Sequence, residues 1–201
     1  MDERFDGWIA GLGTRSGLRA VVGIWPRSPL GSFTDVMVET AGGHRLLLAP
    51  SAEVAEFVAA TYVFDEVRVG PVRSRTDGTR WAVDADPLAL EFTVGGRPPL
   101  GTLLRTVPRP LARHPRWISV IDGIARRALP GVRTRGSAGG GREEFYGALD
   151  LHRITAATVH WQGTDRGGLA PVDPPVRFGF GSTPRTPALA RITTVVRSTA
   201  G

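Results

Sequence analysis

The chain of 201 residues contains neither cysteine nor lysine. Without cysteine there is no disulfide, no thiolate nucleophile and no Cys-ligated zinc. Without lysine no internal Schiff base can form, and a Walker-type phosphate loop, which needs its lysine, is excluded. No stretch approaches the roughly 18–20 apolar residues of a membrane span. The opening Met-Asp-Glu-Arg-Phe-Asp is charged and lacks the apolar core of a secretory signal. A cytoplasmic location is the expectation. Histidines are few and scattered at His44, His114, His152 and His160. His152 and His160 share a strand face but stand roughly 26 Å apart at 3.3 Å per residue, too far to hold one ion. No metal site and no cofactor is expected. Gly11-Leu12-Gly13 has no strand before it and is a poor dinucleotide fingerprint. A Gly-Xaa-Ser-Xaa-Gly elbow is missing too.

What is present suits one domain over residues 1–201, long enough to bury about 70% of its unfolded surface. All 25 basic residues are arginine, and the net charge is +6. The charge is uneven: residues 1–100 carry 10 arginines against 13 acids, and residues 101–201 carry 15 against 6. Ten arginines fall between Arg97 and Arg142, opposed only by Asp122. Such a block attracts anions. It lacks interleaved aromatics apart from Trp117, so nucleic acid is not the expected partner.

Residues 1–17 read as a glycine-rich segment anchored by Trp8 and Ile9. Leu18–Ile24 is the first predicted strand, ended by Trp25-Pro26. Residues 32–40 form the next, with Val36 and Val38 on one face and Phe33, Asp35 and Met37 on the other. Ala41-Gly42-Gly43 turns the chain into a strand over His44–Ala49. Ser51 then caps a helix with Glu53 in its first turn, and Val54, Phe57, Val58, Thr61 and Tyr62 make its apolar stripe. Phe64–Val72 returns to strand. Thr79–Ala85 and Leu88–Val94 pair as a hairpin around Asp86-Pro87. Residues 95–115 are rich in proline and arginine, with a short apolar turn at Leu103-Leu104. A second helix is predicted over 115–129. After the glycine run of 136–141, strands follow at Arg142–Ala148, Ile154–Trp161, a short Arg177–Phe180 piece and Ala190–Arg197.

Leu30-Gly31-Ser32-Phe33-Thr34-Asp35, Val63-Phe64-Asp65 after the helix ending at Tyr62, and Ile154-Thr155-Ala156-Ala157-Thr158-Val159-His160 carry a resemblance in this order. They are similar to the Leu-Gly-Cys-Tyr-Thr-Glu strand, the post-helix segment and the Ile-Thr-Xaa-Xaa-Thr-Val-His strand of the acetoacetate decarboxylase-like family. The resemblance implies a mainly β (α+β) fold: an antiparallel, closed or cone-shaped β-barrel around an apolar pocket, with about two covering helices. It places Asp35 where the family has its pocket glutamate. The family's nucleophilic lysine follows the helix in a Tyr-Pro-Lys-Lys context. Here that place reads Tyr62-Val63-Phe64-Asp65, so the nucleophile is missing and imine-based decarboxylation with it.

Asp35 is the candidate catalytic residue, a proton shuttle if desolvated between apolar neighbours. The alternative is a structural carboxylate accepting backbone hydrogen bonds or paired with an arginine. Phe33, Met37, Tyr62 and Phe64 are the expected ligand-binding lining. Arg27, Arg133 and Arg135 are the expected counter-ions for a carboxylate. Both faces of the Asp35 strand need cover, so Phe33, Asp35 and Met37 are expected to face the barrel lumen, with the two helices over the other face. Two functions compete. One is a small-molecule pocket protein, binding or transforming an apolar or anionic metabolite without Schiff-base chemistry. The other is a non-enzymatic basic module contacting nucleic acid or an anionic surface through residues 97–142. A homo-oligomer is left open.

Overall fold

Period-two alternation of apolar side chains, broken by glycine and proline turns, makes a sheet of most of the described residues. The computed structural model describes residues 2–108, 135–138, 142–179 and 183–198. The elements in chain order are β1 (Asp2–Thr14), β2 (Arg19–Arg27), β3 (Phe33–Glu39), β4 (Arg45–Ala49), α1 (Ala52–Ala59), β5 (Glu66–Val69), β6 (Val72–Thr76), β7 (Arg80–Ala85) and β8 (Leu88–Val94). They continue with α2 (Pro99–Thr106), β9 (Arg135–Ala138), β10 (Arg142–Trp161), β11 (Thr164–Asp165), β12 (Leu169–Ala170) and β13 (Ala188–Ser198).

The strands form one sheet in the order β5-β4-β3-β2-β1-β13-β10-β8-β7-β6, with β9, β11 and β12 attached beside it. The expected mainly β architecture is present, with two helices among the described residues. The sheet is a curled half-barrel whose strand path runs from β5 to β6, and it is mixed rather than purely antiparallel. Thr34 and Ser74 hydroxyls, 2.7 Å apart, link β3 to β6 across the opening. The pair β4–β5 is parallel, because α1 carries the chain back before β5 begins, as a helical crossover does.

Two apolar layers result. Val36, Val38, Leu46 and Leu48 meet Val83, Leu90, Phe92 and Val159 in one cluster. Strands so far apart along the sheet touch only inside the curl. On the opposite face Val21, Met37 and Leu47 pack under Val54, Ala55 and Val58 of α1. Ser51 starts α1, its hydroxyl accepting the Val54 N–H at 3.3 Å, with Glu53 in the first turn. The lumen expectation is therefore reversed. Val36 and Val38 take the lumen, while Phe33, Asp35 and Met37 lie under α1. Strand periodicity separates two faces but does not say which one a later helix will cover.

Other elements also differ from the sequence reading. Residues 2–14 are a central strand, not a loose segment. Their glycines admit close neighbours: a Cβ on Gly7 would sit 2.1 Å from the Ile24 carbonyl oxygen. The two strands expected at 142–148 and 154–161 are one, β10. Its register shifts at Ala148/Asp150 and Ile154/Ala156 bend it from partner β13 to partner β8. Phe64–Val72 splits at Gly70-Pro71 into β5 and β6. The apolar turn at Leu103-Leu104 is a two-turn helix with proline in its first turn. Residues 177–179 are not a strand. The helix predicted over 115–129 lies outside the described residues, as do Phe180 and residues 139–141.

Candidate functional site

Asp35 lies within β3 with Gly23 of β2 directly opposite. Because Gly23 has no side chain, the Trp25 indole reaches across it and donates its Nε1–H to Asp35 Oδ1 at 2.9 Å. A Cβ on Gly23 would stand 2.4 Å from both of those atoms. Gly23→Ala is therefore expected to prise the pair apart, cost about 1–3 kcal/mol of stability and alter tryptophan fluorescence. Urea denaturation followed by fluorescence measures both.

The Asp35 residue is 4% exposed and has no cationic partner among the described residues. Burial pushes its carboxyl up to about 7, against the opposing hydrogen bonds from Trp25 and from its own backbone. The chain has thus placed an uncompensated carboxyl beneath a helix. No arginine among the described residues offsets it, and burial favours its protonated form.

A cavity of about 50 Å³ opens between the sheet and α1, with Asp35, Trp25, Phe5, Phe33, Met37 and Phe57 in its wall. At roughly 10–15 Å³ for one water it holds several waters or the end of a short ligand. The aromatic rings brace one another: Phe5 meets Trp25 edge-on at 5.8 Å and Phe57 at 4.9 Å. Tyr62 and Tyr146, the only two tyrosines in the sequence, also line it, and their hydroxyls hydrogen-bond each other. Thr61 and Thr194 line it as well. Their buried hydroxyls have no hydrogen-bond partner among the described residues. An apolar chamber with a few convergent polar groups is the usual form of a small-molecule site.

Of the residues expected from sequence, Asp35, Phe33, Met37 and Tyr62 converge here. Phe64 does not line the cavity. It packs on Phe178, ring centres 5.6 Å apart, because the chain after α1 turns outward toward β5. Arg27 is exposed at the end of β2 and away from the cavity. Arg135 sits on β9 with its backbone opposite Phe145, and Arg133 lies outside the described residues. No arginine is among the described residues lining the cavity, so the expected carboxylate counter-ion is not found there. Most of the arginine block, residues 109–134, is likewise outside the described residues. Sequence reasoning missed Gly23, Trp25, Tyr146 and Thr194. Gly23 and Trp25 have a local signal, a glycine two residues before a tryptophan on one strand face. Tyr146 and Thr194 have none, being brought in by strands more than a hundred residues away.

No protein-family model matches the chain, and no curated protein matches it in sequence. The solved structures to which the chain is similar include these two. One is a Nitrosomonas europaea AttH candidate, at 12% identity and a TM-score of 0.31, over 99% of this chain and 52% of that one. The other is the acetoacetate decarboxylase of Legionella pneumophila, at 8% identity and a TM-score of 0.47, over 98% of this chain and 85% of that one.

Proposed function

We propose that the protein binds a small, uncharged, largely apolar molecule under α1 and that Asp35 is the group that donates a proton or hydrogen bond to it. The observation that supports this reading is a protonatable carboxyl, buried in a cavity whose other polar groups include two threonine hydroxyls, with neither a counter-ion for the carboxyl nor a partner for the hydroxyls among the described residues. Below pH about 7 the carboxylic acid presents an O–H, matched to a carbonyl or ether oxygen of the ligand. Thr61 and Thr194 satisfy a second polar atom. The aromatic wall takes the hydrocarbon part. A carboxyl poised near neutrality also suits proton transfer, should the ligand be transformed. Any such step proceeds without an internal lysine imine, since the chain has no lysine.

The test is a titration with short ketones and alcohols of about four to six carbons, alongside carboxylates of equal length. It is followed by NMR of the Trp25 indole and the Met37 methyl. The uncharged compounds are expected to perturb both signals, and binding should weaken as pH rises through about 7. The other titratable groups at the cavity are Tyr62 and Tyr146. Asp35→Asn, whose amide is a donor at every pH, should bind without that pH dependence. The reading fails if no uncharged compound perturbs the cavity, or if wild type and Asp35→Asn share one pH profile.

A further inference from the structure

A second concavity lies between α2 and the sheet, on the face of β1 and β13 opposite to the apolar cavity. Ile9 and Thr194 line the first site, whereas Trp8 and Arg191 line this one. Its volume is about 320 Å³, and Trp8, Arg97, Arg105, Asp150, His152 and Arg191 contribute to its wall. Trp8, Arg191 and Asp150 are register neighbours across β1, β13 and β10. Arg97 and Arg105 come from the two ends of the α2 segment, which packs on β10.

The charges in this cleft do not cancel. Arg97 grips Asp150 with both of its faces, Nε to Oδ1 at 2.9 Å and Nη2 to Oδ2 at 3.0 Å. Asp150 also accepts the Leu151 N–H at 2.9 Å and lies 3.4 Å from His152 Nε2. Burial alone would raise this carboxyl, but the Arg97, Leu151 and His152 contacts outweigh it and hold Asp150 below its ordinary value. Asp150 is thus ionised and already committed to Arg97. The Arg191 guanidinium carbon lies over the Trp8 ring, 5.7 Å from its centre, a cation–π contact. Neither Arg191 nor Arg105 forms an ion pair among the described residues. Among the described residues three guanidinium groups therefore face one carboxylate, leaving two positive charges around a hollow large enough for a ligand.

We propose that this cleft is a second binding site, for a small oxyanion carried as a phosphate or a dicarboxylate. Arg191 and Arg105 supply planar, bidentate donors to it, Arg97 is the fixed support that neutralises Asp150, and Trp8 is the flat wall beside the bound group. The site is independent of the apolar cavity and does not rest on the function proposed for it.

Calorimetric titration of the full chain with inorganic phosphate, and separately with malonate, tests the assignment at constant ionic strength. Saturable 1:1 binding of at least one probe is expected, and the preferred probe tells which source of oxyanion fits. Arg191→Gln and Arg105→Gln should each weaken binding at least about tenfold, the loss of a charge-assisted hydrogen bond. Asp35→Asn, on the other face, should leave it unchanged. If Arg191→Gln is not folded by circular dichroism, Arg105→Gln decides, since its side chain is exposed. Absence of saturable binding to both probes overturns the proposal. So does full affinity in the folded arginine variants, or loss of binding in Asp35→Asn, which would move the ion to the other cavity.

Discussion

Asp35→Asn is expected to remove a fall in stability of about 4 kcal/mol that the wild-type protein undergoes between pH 4 and pH 8. The carboxyl rises from 3.8 to about 7 on folding, chiefly through burial, and each unit is worth about 1.4 kcal/mol. Below pH about 4 the group is protonated in both states and has no pH-linked effect. Between about 4 and 7 the unfolded chain releases the proton while the folded one retains it, so rising pH favours unfolding. Above about 7 both forms are ionised and the loss is complete. Asparagine keeps an oxygen for the Trp25 N–H and does not ionise, so the variant should match wild type in acid and exceed it at pH 8. Urea denaturation of both proteins at about pH 4, 6 and 8 reads the difference, in which all other titrations cancel. Parallel profiles would mean that Asp35 is hydrated or paired and ionised throughout.

Glu39→Gln is expected to lose about 3–5 kcal/mol, the penalty for stranding a buried charge. Glu39 is 0% exposed at the end of β3. Its Oε1 lies 3.1 Å from Arg19 Nη2 and 2.8 Å from Arg177 Nε, and its Oε2 accepts the Arg177 backbone N–H at 2.7 Å. Arg19 is buried too, with Nη1 and Nη2 donating to the Pro174 and Thr40 carbonyls at 3.1 and 3.2 Å and Nε without a partner among the described residues. Once the carboxylate is gone, that guanidinium keeps its charge without a counter-ion. Arg177 is different, since its side chain is 64% exposed and can turn to water. Arg177→Gln should therefore cost no more than about 1 kcal/mol. Thermal or urea unfolding of the two variants distinguishes a buried pair from a surface one. Equal losses would show that Arg19 is not sealed from solvent.

The parts of this fold that could be read in the sequence are those set by neighbours in the chain. Val36 and Val38 against Phe33, Asp35 and Met37 follow from strand pleating, and the Ser51 cap with Glu53 follows from helix chemistry. The Leu88, Leu90, Phe92 alternation likewise follows from one buried sheet face. What could not be read depends on distant partners. The glycines of β1 look like loop signals until Ile24 is found pressed against Gly7. The side of β3 that receives α1 is set by the crossover to β5. Trp25 becomes a partner of Asp35 only through the register of β2 on β3. Thr194 and Tyr146 reach the cavity only through strands formed far later in the chain. Arg27 stands apart from the cavity for the same reason: it is near Asp35 in sequence, but its strand has left the cavity by that point.

The position of β1 has a consequence for how the chain is made. It is synthesised early, yet it lies in the middle of the sheet, and Asp2 through Gly11 pair with residues 188–197. During translation one edge of this strand therefore stays bare until residues 188–198 have left the ribosome. Contacts closing across almost the whole chain are slow to form, and a bare strand edge is a template for pairing with the wrong chain. Nascent chains stalled before residue 188 should accordingly be the species that aggregate and recruit chaperones, whereas chains whose residues 188–198 have emerged should escape both.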